Sequence, residues 1–156
     1  MDWFRVKHTL GMCLCGSGVK RAKYLKKHKV LKHIGDNCMV MFRKIPLYPE
    51  LISIGNNVWI ASNVSLITHD VVHRMINNRG GADLYLAEYK GEIKIDDNVF
   101  IGANTSILPG VHIGRDTIIG AGTVVNKDIS DGVYAGVPVR YLCSLEDFIA
   151  RRKQKE

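Results

Sequence analysis

The chain has 156 residues, 46% of them hydrophobic and 24% charged, with a formal net charge of +7. That length suits one domain with a solid core and excludes two ordinary ones, and the composition is globular rather than disordered or collagen-like. The positive excess sits mostly in Lys20 to Lys32 and Arg151 to Lys155, which reads as solvated helix faces and argues against a nucleic-acid partner, while also suiting a ligand that carries phosphates or an anionic glycan.

No stretch is long enough to span a membrane. The apolar run Leu10 to Cys15 leads into Gly16-Ser17-Gly18 and then basic residues without an export pattern, so the expected location is cytoplasmic. Cys13, Cys15, Cys38 and Cys143 have no zinc spacing and are expected to be reduced thiols. Residues 1–33 predict an N-terminal helical segment of one or two helices, one of them over Val19 to Leu31. Gly16-Ser17-Gly18 is read as the turn between helices, because neither of the glycine patterns that bind nucleotides or dinucleotides follows it.

At Ile34-Gly35-Asp36-Asn37-Cys38 a six-residue rhythm begins, with Val40 in phase. It breaks across Lys44 to Leu51, where Pro46 and Pro49 argue against a central strand, and this segment is a candidate wall of a site. The rhythm resumes at Ile54, Ile60 and Leu66, two residues out of register with the first block. After Leu66 the next anchor falls due at residue 72, yet regular spacing returns only at Ile95. The polar stretch between, Asp70 to Gly91, is an irregular inserted loop, and a small domain seldom keeps one so long without a use for it.

From residue 93 to 129 the pattern is unbroken. Ile95, Ile101, Ile107, Ile113, Ile119 and Val125 stand six apart, and Val99, Thr105, Val111, Thr117 and Thr123 each follow an anchor by four. A period of six fits neither a helix nor a flat strand, so it marks a repeated supersecondary unit. Short extended segments joined by tight corners would stack their inward residues into aliphatic ladders, with coils about 4.8 Å apart. Glycine or a small residue beside the anchor avoids a clash at the corner, and Asn98, Asn104 and Asp116 stand where positive φ can be demanded. Beyond Asp128 the coil closes, and Ser144-Leu145-Glu146-Asp147 predicts a capping box opening a helix over Leu145 to Lys153 within a C-terminal segment 141–156.

Ile-Gly-Ala-Asn-Thr-Ser at 101–106, Leu-Pro-Gly-Val-His-Ile-Gly at 108–114, Ile-Gly-Ala-Gly-Thr-Val-Val-Asn-Lys-Asp-Ile at 119–129 and Ala-Gly-Val-Pro-Val-Arg at 135–140 resemble the hexapeptide-repeat acyltransferases. The resemblance implies a mainly β protein, a left-handed parallel β-helix over residues 34–140 with the loop 70–91 inserted, and it implies a homotrimer with sites between subunits. It also implies acetyl-CoA as acyl donor, no metal, and transfer of the acyl group to a hydroxyl of a sugar or glycan.

In such enzymes the histidine at the junction of coil and loop is the general base. Thr68-His69-Asp70 occupies that junction, and imidazole titrates near neutrality as the task requires. The short spacing resembles members acting on polysaccharide or lipopolysaccharide more than maltose or galactoside acetyltransferases. The same likeness implies backbone contacts to the cofactor at Ala103 and Ala121, and phosphate contacts at Asn126, Lys127 and Arg140, although Asn126 replaces an expected threonine. Tyr48, Glu50, Asn63, Asp70 and His73 are candidates for the acceptor side, and Glu50 or Glu88 for orienting His69. Two other readings compete. His69, His73 and His112 make three histidines, as in the zinc-binding γ-class carbonic anhydrases, although the close pair comes first here, and a β-helix can also be a non-catalytic assembly or binding module.

Overall fold

The computed structural model describes residues 2–80 and 85–154; Gly81 of the predicted loop and Lys155 of the basic terminus lie outside them. Two helices open the chain. Helix α1 (Trp3–Leu14) is capped by Asp2, whose side chain accepts from the Arg5 amide, and α2 (Gly18–Lys27) by Ser17, which accepts from the Lys20 amide. Gly16-Ser17-Gly18 is therefore the predicted turn, with a serine cap inside it. Helix α2 ends earlier than its apolar residues suggest: Lys29 turns left-handed at φ 48°, and Val30 and Leu31 drop into the core.

The coil then begins. Strands β1 (His33–Ile34) and β2 (Met39–Val40) make an incomplete first turn, followed by a short 3-10 turn at Pro49–Leu51. Strands β3 (Ile52–Ile54), β4 (Val58–Ile60) and β5 (Ser65–Leu66) make the second, and α3 (Val72–Arg79) lies in the insertion. Strands β6 (Ile93–Ile95), β7 (Val99–Ile101) and β8 (Ser106–Ile107) make the third, and β9 (His112–Ile113), β10 (Thr117–Ile119) and β11 (Val124–Val125) the fourth. Strand β12 (Gly132–Ala135) continues the coil, β13 (Arg140–Cys143) folds back on it antiparallel, and α4 (Leu145–Lys153) follows.

Three sheets result: β1-β3-β6-β9, then β2-β4-β7-β10-β12-β13, then β5-β8-β11. Every pairing between successive coils is parallel, and the anchors stack on one another, Leu66 on Ile107 and Ile107 on Val125 in the third sheet. Ile52, Ile54, Ile60, Ile93, Ile101, Ile107, Ile113, Ile119 and Val125 are fully buried, so the six-residue spacing is the spacing of inward side chains. Thr105, Thr117 and Thr123 are buried as well, each hydroxyl donating to a backbone carbonyl, which removes the cost of hiding it.

Most corners follow one rule. The residue three after the anchor has positive φ at Asn37, Asn57, Asn63, Asn98, Asn104 and Asp116, with Gly110 and Gly122 in the same role, whereas the corners after Val40, Leu66 and Val125 depart from it. Their side chains also bond coil to coil, Asn57 to Asn98 and Asn98 to Asp116 along one edge, Asn63 to Asn104 along another. The glycine directly after an anchor has a different purpose. A Cβ on Gly102 would stand 2.5 Å from the Ala121 nitrogen in the next coil, so close stacking, not φ, excludes a side chain there.

The ends of the coil are covered. Arg21 of α2 is 2% exposed and donates from Nε to the Val40 carbonyl at the top edge and from Nη1 to the Cys15 carbonyl at the end of α1. At the other end Ser144 caps α4 by accepting from the Asp147 amide. No described helix is long and apolar enough to cross a membrane.

Candidate active site

The site is organised by the third sheet and the two interruptions beside it. The first coil is 20 residues long, pairing Ile34 with Ile54, whereas the regular coil pairs Lys94 with His112, 18 on. The extra length is spent on Lys44 to Leu51, which forms no strand. Ile45 fills the core in place of a strand anchor, and α1 holds the segment from outside: Thr9 Oγ1 accepts from the Ile45 amide, and the Arg5 guanidinium donates twice to the Ile45 carbonyl. Between this segment and the outer face of β5 lies an open cleft of about 650 Å³, lined by Arg43, Lys44 and Leu47 on one side and by Asn63, Ser65 and His69 on the other.

The inserted segment leaves at the far corner of the same sheet. Its two ends are bonded together: the Gly91 amide donates to the Thr68 carbonyl and the Asp70 amide to the Tyr89 carbonyl, with His69 paired antiparallel to Lys90. The Thr68 hydroxyl donates to the Leu47 carbonyl, tying the corner to the other interruption. The stretch predicted as irregular contains α3. Asp70 accepts from the Val72 amide at its start, and near its end the Asn77 side chain pairs with both backbone groups of Leu86 as a strand would.

His69 is thus held at a corner where three segments meet. Tyr48 packs edge-on against its ring, centroids 5.3 Å apart, and is itself a non-glycine residue at φ 52°. The Tyr48 hydroxyl donates to the Glu88 carboxylate, 3.0 Å from each oxygen, while Lys90 stands 4.0 Å over the Tyr48 ring and 3.3 Å from Glu88. Burial pushes the Glu88 carboxyl up, but the hydrogen bonds from Tyr48 and Lys90 and the fields of Lys90 and His69 outweigh it and hold its pKa below the usual range. Lys90 is shifted upward by Tyr48 and Glu88 against its own desolvation. Nδ1 of His69 is buried with no hydrogen-bond partner among the described residues, and so is Nδ1 of His73. Glu88 therefore reaches His69 through the tyrosine and not directly. Glu50 is exposed in the 3-10 turn, and Asp70 is occupied by α3.

The residues expected to meet the cofactor flank the third sheet. Ala103 and Ala121 follow β7 and β10 at one corner, where the Ala103 carbonyl accepts from the Gly122 amide. Asn126 and Lys127 follow β11 at the opposite corner, and Arg140 opens β13; all three are exposed. Asn63 stands above Asn104, the neighbour of Ala103, and forms part of the cleft. His112 is elsewhere, on β9 of the first sheet, with Nε2 2.9 Å from Asp96. Among the described residues no three His, Cys, Asp or Glu side chains gather as a metal site would require. Arg5 and Lys90 had no sequence signal, since each acts through a partner some 40 positions away.

Known proteins share this fold. Residues 92–127 match the bacterial transferase hexapeptide (six repeats) family. Protein CapG of Staphylococcus aureus is 42% identical over 132 residues, covering 79% of this chain and 72% of that one. The chain belongs to the hexapeptide-repeat transferase family. Among the acyltransferases, galactoside O-acetyltransferase of Escherichia coli is 39% identical over 117 residues, 74% of this chain and 55% of the relative, so the chain spans about half the length of that curated relative. A galactoside acetyltransferase solved with coenzyme A superposes with a TM-score of 0.66 at 29% identity, over 95% of this chain and 84% of that one. The three stacked sheets of the chain form a left-handed parallel β-helix. A galactoside enzyme is thus among the chain's relatives.

Proposed function

We propose that this protein is an acetyl-CoA-dependent O-acetyltransferase acting on a hydroxyl of a sugar or glycan, as a homotrimer, with His69 as general base. The observation that carries the reading is the position of His69: it lines an open cleft on the third sheet and packs against Tyr48, with its buried Nδ1 unpartnered among the described residues. The related galactoside acetyltransferase solved with coenzyme A supports the donor.

In this reading the acceptor oxygen attacks the thioester carbonyl as His69 Nε2 takes its proton. The tetrahedral intermediate collapses by breaking the C–S bond, and the CoA thiolate receives the proton back from the imidazolium. Catalysis needs no covalent enzyme intermediate. Ala103 and Ala121 on one flank, and Lys127 and Arg140 as phosphate partners, are the proposed cofactor contacts, with Asn126 beside them; Asn63, Asp70, His73, Tyr48 and Glu50 bound the acceptor side. Acetyl transfer from acetyl-CoA to a galactoside, followed by thiol release, tests the function. His69→Ala should lower kcat by ~10²–10⁴-fold while the protein still gains thermal stability from CoA. A variant with unchanged kcat would remove His69 from the mechanism.

A further inference from the structure

The cleft carries charge of one sign. Arg5, Arg43 and Lys44 line it, and among the described residues no carboxylate does. Arg43 and Lys44 are exposed and form no salt bridge among the described residues. Arg5 is anchored through Nε and Nη2 to the Ile45 carbonyl, which leaves Nη1 without a partner among the described residues. These cations stand in the same cleft as His69, on segments that α1 pins in place.

From this we infer that the acceptor is anionic: a sugar bearing a carboxylate or a phosphate, whose charge is read by Arg43, Lys44 and Arg5 while its hydroxyl is presented to His69. The inference rests on the proposed acetyltransferase reading and adds the substrate class. A neutral sugar would leave these three cations of the cleft to solvent alone. An anion would gain charge-assisted hydrogen bonds, and guanidinium suits the planar oxygens of carboxylate and phosphate in particular.

The test compares matched acceptors. Glucose, glucuronate and glucose 6-phosphate are offered with acetyl-CoA to the wild type and to Arg43→Gln, Lys44→Gln and the double variant, and kcat/KM is read for each. The charged sugars should exceed glucose by at least about tenfold, the effect of one good charge-assisted contact, and the ratio should fall toward one in the double variant and at high salt. Whichever of the two anions is preferred identifies carboxylate or phosphate as the group recognised. Equal rates for charged and neutral sugars would overturn the inference and leave the acetyltransferase reading intact. So would variants that raise KM for acetyl-CoA instead of altering acceptor preference, since the cations would then serve the cofactor's phosphates. If no sugar is acetylated, equilibrium binding of glucuronate and glucose 6-phosphate against glucose decides separately: selective binding lost in the double variant supports the anion site although the reaction is wrong, and unselective or absent binding overturns it.

Discussion

Tyr48 joins the two interruptions of the coil through one side chain. Its ring meets His69, its hydroxyl meets Glu88, and Lys90 lies over its face. The Glu88 carboxylate is held below its ordinary pKa in the fold, so the folded protein binds fewer protons there than the unfolded chain does. Its contribution to stability is therefore present above the usual carboxylate range and is lost as pH falls through that range toward the folded value. Glu88→Gln should lower the melting temperature near neutral pH, and the difference from wild type should close on acidification. The effect should be small, because the pair is partly solvated. A gap that persists in acid would show that the glutamate acts by packing and not by charge. The same acidification should loosen protection of the Gly91 amide in hydrogen exchange, since that bond closes the segment carrying Glu88.

At the scale of the element, the ladder is intolerant in a way that a surface loop is not. Gly102→Ala places a methyl group 2.5 Å from the Ala121 nitrogen, and relief requires two coils to separate. The expected loss is ~1–3 kcal/mol, the usual cost of overpacking, measured by denaturant midpoint. Gly16→Ala meets nothing within 4 Å and should change stability little, which makes it the control. Substitution at Asn104, φ 59°, should also cost about 1 kcal/mol, because only glycine and a few residues accept that corner readily.

These elements were legible for a physical reason. A stacked coil repeats its inward positions at a fixed interval, so Ile95 to Val125 had to show the period, and the left-handed corners had to collect Asn, Asp and Gly. The junction at His69 was legible as the place where the period fails. What lay beyond local pattern was the content of the failure. Helix α3 is held by Asp70 at its start and by Asn77 pairing with Leu86, with no buried apolar face to announce it. The pairing of Tyr48 with Glu88 joins residues 40 apart, and Arg5 reaches Ile45 across the same separation. Neither has a periodic signature. The early end of α2 was hidden because Val30 and Leu31 are apolar for the core of the coil and not for a helix face.

For the whole molecule, the outer face of the second sheet shows Trp59 and Phe100 paired side by side and 44% and 43% exposed. Exposed aromatics on a sheet are the kind of surface that assembly covers. Sedimentation equilibrium is expected to give three times the 17.5 kDa of one chain, and Trp59→Lys tests whether this face takes part in holding the assembly together. A monomer with full activity would refute the proposed trimer.

The bonded ends of the insertion have a consequence for change over time. Ile54 stacks on Ile95 in the same register as any neighbouring coils, although 41 positions separate them, because Thr68 and Gly91 meet and hand the chain back where it left. To the scaffold the insertion is a closed bracket. Closing a longer or shorter one costs little extra, so its contents are free to be rewritten without recasting the ladder beneath. The site thus behaves as a socket: one half, His69, belongs to the frame, and the other half is an exchangeable part. Grafting residues 70–90 from a relative between Thr68-His69 and Gly91 should leave the ladder intact while exchanging the groups, Glu88 and Lys90 in this chain, that brace Tyr48 against His69.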